Sequence, residues 1–305
     1  MNTLQSSLES LKSNHAFHMR LAKLNASRLS PHIIGPGWIE DVKTETALRI
    51  AEGQFIESER ARIAHLATTA PSDADGFVAW FESLREHGPG QNDALFPWLE
   101  AEATLAQMRW FLTQEAAGEA GFEDLVAMTQ VKLPVRAKLE MARNYWDEMG
   151  RGHERGMHGP MLATVVHELG LTPIVDDTCW ESLALANLMV GLAANRRYTY
   201  HAIGALGAIE MTAPARVSKV NKGLRRLAIP SSARKYYQIH AGLDIQHSKA
   251  WNTEVIHCLV AENSQTALSI AEGALLRLAS GARCFARYRA HFELEAAYTH
   301  SALAA

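Results

Sequence analysis

The stretch His240-Ala-Gly-Leu-Asp244-Ile-Gln-His247 decides how the rest of the chain is interpreted. Its two imidazoles and one carboxylate are spaced i, i+4 and i+7, which places them on one face of an α-helix. The flanking residues are largely apolar, which favours a helix. Imidazole and carboxylate together are typical ligands of iron, manganese or zinc. The alternative is a surface stripe with one histidine packed in the core.

The composition limits the classes of protein to consider. The 305-residue chain has 48% hydrophobic and 21% charged residues and a formal net charge of −3, which is ordinary for a globular protein. No basic tract stands out, so we expect no nucleic acid and no membrane as partner. The N-terminus lacks the apolar core of a signal peptide, and no apolar run is long enough to span a bilayer. Three widely spaced cysteines (Cys179, Cys258 and Cys284) indicate a reducing compartment, so we expect a cytoplasmic protein.

Helical periodicity runs through nearly the whole chain, and no strand pattern or internal repeat interrupts it. We therefore expect a single all-α domain over residues 1–305. Within it, residues 1–90 would form N-terminal helical additions, and residues 91–292 a metal-binding helical core. We also expect one helix from Phe96 to Ala117.

A second long, apolar helix is expected from Glu181 to Gly207, and Pro214 should end this element or begin the next. Gly204 and Gly207 lie within it. Because no strand precedes them, they predict close contacts between helices and not a phosphate loop.

Glu210 is a further candidate ligand, because it lies in the apolar context Gly-Ala-Ile-Glu210-Met-Thr-Ala-Pro. A carboxylate in such surroundings must find a partner, or its pKa rises and it stays neutral. We interpret it as a metal ligand.

Glu148 and His158 flank the glycine-rich segment Gly150-Arg-Gly-His-Glu-Arg-Gly156. In an unbroken helix these two side chains would be about 15 Å apart. They can share a site only if the glycines kink or unwind the helix. Glu154, one turn before His158, is an alternative partner for that histidine.

Two further acids have weaker local support. Glu115 follows an apolar helix face and, taken alone, is more typical of a solvated residue. Glu254 and His257 form one Glu-x-x-His unit, but di-iron bundles of the ferritin type need a pair of such units. We find no second unit in the sequence and leave these two residues out of the site.

The ordered combination of these motifs resembles the haem-oxygenase-like di-iron oxidases and oxygenases, bacterial proteins often described as iron-containing redox enzymes. The resemblance covers about residues 96–288 and implies a haem-oxygenase-like helical bundle. It also implies a set of seven metal ligands: Glu115, Glu148, His158, Glu210, His240, Asp244 and His247.

The resemblance implies two Fe(II) ions per chain, O2 as co-substrate, an electron donor and a small-molecule substrate. The spacing of ten residues between Glu148 and His158 is similar to that of the N-oxygenating branch of the family. We therefore expect N-oxygenation of an amine or amino acid, with desaturation or C–C cleavage of a small acid or amino acid as the alternative. A homodimer is left open.

Two other classes of protein are kept as lower alternatives. A haem-binding or haem-degrading protein would use His15 or His18 as a ligand on an early helix. A non-catalytic helical interaction module would bind no metal. For substrate contacts, Arg196 and Arg197 are candidates, although capping or bridging of helices is the more common role of such a pair.

Overall fold

The computed structural model describes residues 2–31, 33 and 35–294, with side chains from residue 14 onward. Within these residues the chain is an all-α bundle without β-strands, as the sequence predicts. In chain order the helices are α1 (Asn2–Leu29), α2 (Trp38–Ala67), α3 (Ala74–His87), α4 (Leu95–Ala101), α5 (Leu105–Gly118), α6 (Phe122–Thr129), α7 (Val135–Glu148), α8 (His158–Glu168), α9 (Trp180–Ala194), α10 (Thr199–Arg226), α11 (Lys235–Ala250), α12 (His257–Glu262) and α13 (Thr266–His291). A π-helical turn, Trp251–Ile256, joins α11 to α12.

The centre of the bundle is the crossing of α10 with α13. A Cβ atom at Gly204 would overlap the backbone oxygen of Ile270, and one at Gly273 would overlap that of His201. Gly207 faces the ring of Trp251, which would lie 2.8 Å from an added Cβ. The glycines therefore allow close helix packing, as predicted for Gly204 and Gly207.

The N-terminal helices pack on this centre, α1 against α9 and α2 against α13. Ile56 of α2 is fully buried and belongs to the same apolar cluster as residues of α9, α10 and α13. The division of the chain at residue 90 stays a prediction. In the described part of the chain, no helix has the length and apolar character needed to cross a membrane.

Two of the expected helices are wrong, because local capping interrupts them. The helix expected from Glu181 to Gly207 ends at Ala194, where the Asn195 side chain accepts a hydrogen bond from the Arg197 backbone N–H at 3.1 Å. The helix expected from Phe96 to Ala117 is divided into α4 and α5. There Thr104 and Gln107 form a capping box that begins α5.

Pro214 neither ends nor begins a helix but lies inside α10. A proline lacks the N–H that would bond the carbonyl oxygen four residues earlier. That carbonyl belongs to Glu210, so α10 lacks a backbone hydrogen bond at the candidate ligand. Tertiary packing on both sides of α10 offsets this loss.

Candidate metal centre

Helix α11 presents His240, Asp244 and His247 on one buried face, as their spacing predicts. Their exposed fractions are 5%, 5% and 1%. The Nδ1 atom of His240 donates to the carbonyl oxygen of Tyr236 at 2.7 Å. This bond leaves the Nε2 lone pair of His240 free to face the site.

The glycine-rich segment brings Glu148 and His158 together. Helix α7 ends at Glu148, and α8 begins at His158. The residues between them fold back through two 3₁₀ turns and an isolated bridge between Met149 and Met157. Gly150 has a φ of +61° and no space for a Cβ, because Gly156 lies against it. As a result His158 Nδ1 lies 2.9 Å from Glu148 Oε2.

The buried side chains form two groups with a common member. Glu148, His158 and His240 form one group, and Glu148, Asp244 and His247 form the other. Within each group the candidate ligand atoms lie within 4.8 Å of one another. Glu148 is therefore common to both groups of candidate ligands.

Glu210 joins these residues from α10. Its Oε2 lies 3.5 Å from His247 Nδ1, and its Oε1 accepts a hydrogen bond from the side-chain amide of Asn144 at 2.6 Å. Six of the seven predicted ligands therefore meet in one buried place: Glu148, His158, Glu210, His240, Asp244 and His247.

The pKa values of these clustered side chains are strongly shifted. Burial and the charges of Glu210 and Glu148 raise the pKa of Asp244 to about 9. Burial alone would lower the pKa of His247, but Glu210, Asp147 and Glu148 raise it to about 9. Burial opposes the ionisation of Glu148, yet the neighbouring imidazoles of His158 and His240 lower its pKa to about 2. Burial and neighbouring charges therefore move the pKa values of the Asp244 and Glu148 carboxyl groups in opposite directions.

The donor set fits a metal ion. Asp244 Oδ1 and His247 Nδ1 are buried and have no hydrogen-bond partner in the part of the chain that the structure describes. Buried polar atoms of this kind are rare and need a partner. Mixed carboxylate and imidazole donors are suited to iron among the transition metals.

Glu115 is not brought into either group, contrary to the expectation that all seven residues would meet. It lies near Tyr288, Arg277 and Arg216. One turn further along the chain, Glu119 faces the site instead, with Oε1 3.6 Å from His158 Nε2. The spacing i, i+4 could have indicated Glu119, but Gly118 suggested that the helix had already ended.

Glu119 also caps the next helix. Its carboxylate accepts hydrogen bonds from the backbone N–H groups of Gly121 at 2.8 Å and Phe122 at 3.0 Å. Burial opposes its ionisation, but His158 and these N–H groups lower its pKa. It is the carboxylate that this part of the chain presents to His158.

Residues weighed as alternatives lie elsewhere. Glu154 is exposed, so Glu148 is the acid that contacts His158. Glu254 pairs with Arg136 at 2.6 Å, and His257 pairs with Asp75 at 3.0 Å. Both partners lie outside the two groups.

The two early histidines also lie outside the site. His18 packs between the rings of Phe55 and Trp180. His15 contacts the carbonyl oxygen of Thr178 at 3.1 Å. Neither belongs to a group of candidate metal ligands.

Arg196 caps a helix, which was the alternative to a substrate contact. Its guanidinium donates to the carbonyl oxygens of Met128, Thr129 and Val131 at the end of α6. Arg197 is exposed and lies 3.9 Å from Glu57. A mostly apolar cavity lies beside the candidate metal centre, and neither arginine lines it.

Supporting residues around the ligands were missed by the sequence analysis. Asp147 lies 3.2 Å from His247 Nε2 and so leaves Nδ1 facing Glu148 and Glu210. Asn144, which is on α7 like Asp147, orients Glu210 by a hydrogen bond. Asn144 lies four residues before Glu148 and therefore on the same face of α7, and Asp147 directly precedes Glu148. Such partners hold metal ligands in position.

Residues 109–282, more than half of the chain, match a family model described as iron-containing redox enzyme. The chain belongs to this family, and the protein is an oxidoreductase with the predicted haem-oxygenase-like helical bundle. Comparison with curated proteins gave no match. The matched segment contains all six residues that meet at the candidate metal centre.

Proposed function

We propose that the protein is an O2-dependent, non-haem oxidase or oxygenase that binds two iron ions per chain. One observation carries this proposal: two buried ligand groups share the carboxylate of Glu148. In the proposed assignment, His158 and His240 would hold one iron, and Asp244, His247 and Glu210 would hold the other. Glu148 would contribute its carboxylate to both.

When bound, iron supplies the redox chemistry that activates dioxygen. The protein supplies position and environment. Asn144 and Asp147 hold Glu210 and His247, and the Tyr236 carbonyl holds His240. The Tyr236 hydroxyl also lies 3.2 Å from His158 Nε2. The ligands are buried, which limits the access of water to the reaction.

The reaction we favour is N-oxygenation of an amine, because the separation of Glu148 and His158 resembles that of N-oxygenating relatives. In balanced form, a primary amine, O2, two electrons and two protons give a hydroxylamine and water. An external electron donor supplies the electrons. Desaturation or C–C cleavage of a small acid at the same site is the alternative.

The test is an anaerobic Fe(II) titration followed by mixing with O2, monitored by Mössbauer and visible absorption spectroscopy. Wild type should bind two irons per chain and show a transient visible band on mixing. Asp244→Ala should lose one iron and the band, because it removes a ligand of only one group. Gln246→Ala changes an exposed neighbour on α11 and should behave as wild type.

The opposite results are equally clear. Failure of the wild type to bind iron would contradict the proposal, as would a visible spectrum that appears only with added haem. Equal iron binding by Asp244→Ala and wild type would remove Asp244 from the ligand set. Product analysis with amines would then separate N-oxygenation from the alternative.

A further inference from the structure

A cavity of about 180 Å³ lies beside the candidate metal centre. Its walls are mostly apolar side chains from α4, α5, α6, α9 and α10. Phe122, His158 and Tyr236 line both this cavity and the smaller one at the metal ligands. A molecule in the larger cavity would therefore have one end next to the proposed irons.

Charged groups also line the cavity. Arg216 of α10 and Arg277 of α13 are half-buried and line it. Neither guanidinium makes a hydrogen bond or an ion pair with any residue that the structure describes. The Arg216 guanidinium lies near the rings of Phe96, at 5.9 Å, and Phe285, at 5.6 Å, and these rings provide no anion.

The residues around these two arginines provide space for the guanidinium groups but do not balance both of their charges. Gly281 provides the space for Arg277, whose Nη1 lies 2.8 Å from the position of a Cβ there. Glu115 is the carboxylate that acts on both arginines. Its charge balances only one of the two, so this part of the cavity keeps a net positive charge.

An unpaired interior charge costs stability, since it is removed from water without compensation. Burial, followed by the charge of Arg277, lowers the pKa of Arg216 to about 9, although Glu115 acts in the opposite direction. Strained electrostatics of this kind concentrate at functional sites. A bound monoanion would neutralise the excess.

The Tyr237 hydroxyl adds a donor. Tyr237 lines the cavity and makes no hydrogen bond with a described residue. Burial, followed by the charge of Glu115, raises its pKa, so the hydroxyl stays protonated and can donate. Two guanidinium groups and one phenol therefore face the same space with unused donors.

We propose that Arg216 and Arg277 bind the carboxylate of an organic acid whose apolar body fills the cavity and whose far end reaches the metal centre. This inference rests on the proposed function for the fate of the acid, but the binding itself requires no iron. Guanidinium matches carboxylate with two parallel hydrogen bonds. A single negative charge also matches the net charge of the three ionisable groups.

The length of the acid follows from α10. Arg216 is six residues beyond Glu210, about 9 Å along the helix axis at 1.5 Å per residue. The carboxylate and the reacting atom are therefore several bonds apart. Under the favoured reaction, the substrate is an acid with an amine at the end opposite its carboxylate.

The test is calorimetric binding to the metal-free protein, with hexanoate, octanoate and 6-aminohexanoate as probes and hexanamide as the neutral match. The acids should bind at least about tenfold more tightly than hexanamide, which is about 1.4 kcal/mol, since hydrogen bonds to charged groups are stronger than those between neutral groups. Arg216→Gln and Arg277→Gln should each weaken the acids by about tenfold or more. Neither should change hexanamide binding. Arg216→Lys, which keeps the charge but loses the paired geometry, should fall between wild type and Arg216→Gln.

Arg109→Gln is the matched control, because Arg109 is exposed on α5. Circular dichroism melts establish that each variant folds. Equal binding of hexanoate and hexanamide would overturn the inference. Unchanged acid binding in both arginine variants would also overturn it. Tighter binding of inorganic phosphate than of octanoate would overturn the assignment to a carboxylate.

Iron titration of the same variants separates the two proposals. Arginine-dependent acid binding in a protein that takes up no iron would support this inference and contradict the proposed function. Two bound irons without arginine-dependent acid binding would do the reverse.

Discussion

The candidate metal centre and the larger cavity beside it have charged surroundings that differ in sign. At the metal centre, carboxylates and imidazoles crowd together, and burial followed by the charges of Glu210 and Glu148 raises the pKa of Asp244 to about 9. At Arg216 and Arg277, the cations exceed the one nearby carboxylate, and the pKa of Arg216 falls to about 9. We therefore propose cations as the ligands of the first place and an anion as the ligand of the second.

The largest effect is expected from Glu148→Ala, because Glu148 belongs to both ligand groups. We expect iron affinity to fall by a factor on the order of a hundred or more at both positions, as the loss of a direct ligand should exceed the 10–100-fold cost of removing a supporting partner. Anaerobic Fe(II) titration with metal analysis after gel filtration measures it.

Glu154→Ala is the matched control, since Glu154 is exposed and lies in the loop between the same two helices. It should bind iron as wild type does. If Glu154→Ala lost iron and Glu148→Ala did not, the pairing of Glu148 with His158 would not be the one used for metal binding.

A smaller effect is expected from His18, on the pH dependence of stability. It compares two histidines, His247 and His18, in surroundings of opposite charge. His247 lies among carboxylates, and its pKa is raised to about 9. His18 is buried among aromatic rings near Arg283, and burial followed by that charge lowers its pKa to about 4. Below about pH 6.5 the unfolded chain binds a proton at His18, and the folded protein does not. Stability therefore falls as the pH falls from 6.5 toward 4.

This linkage should cost about 2 kcal/mol between pH 7 and pH 5, at 1.36 kcal/mol for each unit of pKa difference. Urea unfolding at the two pH values measures it. In His18→Gln that part of the pH dependence should be missing, while His65→Gln, at an exposed position of α2, should retain it. Identical pH dependence in wild type and His18→Gln would show that His18 is protonated in the folded state.

The smallest effect is expected from Arg277→Met. Replacing an uncompensated interior charge with an apolar side chain should raise the free energy of unfolding by about 1 kcal/mol, at the expense of acid binding. Urea unfolding of the metal-free protein measures it. Arg109→Met on the exposed face of α5 should change stability by less than about 0.5 kcal/mol. A clear loss of stability in Arg277→Met alone would mean that Glu115 already compensates Arg277.

Local sequence patterns predicted correctly those features that depend on residues close together in the chain. The helical face of α11 follows from spacing alone, and the glycines after Glu148 allowed the chain to fold back at His158. The helix expected from Glu181 to Gly207 was wrong because a side-chain cap at Asn195 outweighs the continuous apolar pattern. The helix boundary expected at Pro214 was wrong because contacts with neighbouring helices offset the one missing backbone hydrogen bond.

The candidate site shows the same division. Glu148, His158, Glu210 and the three residues of α11 could be chosen from the sequence, because few acids and histidines lie in such apolar contexts. The sequence favoured Glu115, whereas Glu119 is the acid that lies beside His158; both are at the end of the same apolar helix. Which one faces His158 depends on where α5 ends and on how α6 packs against α8.

By itself, the sequence determined the all-α class, the buried face of α11 and the glycine segment that brings Glu148 to His158. These depend on periodicity and backbone freedom over a few residues. Only the tertiary structure decided that Glu148 is shared by two ligand groups and that Arg216 and Arg277 face one cavity beside them. Arg216 and Arg277 are far apart in the chain and meet because α10 crosses α13, and no local pattern specifies such a crossing.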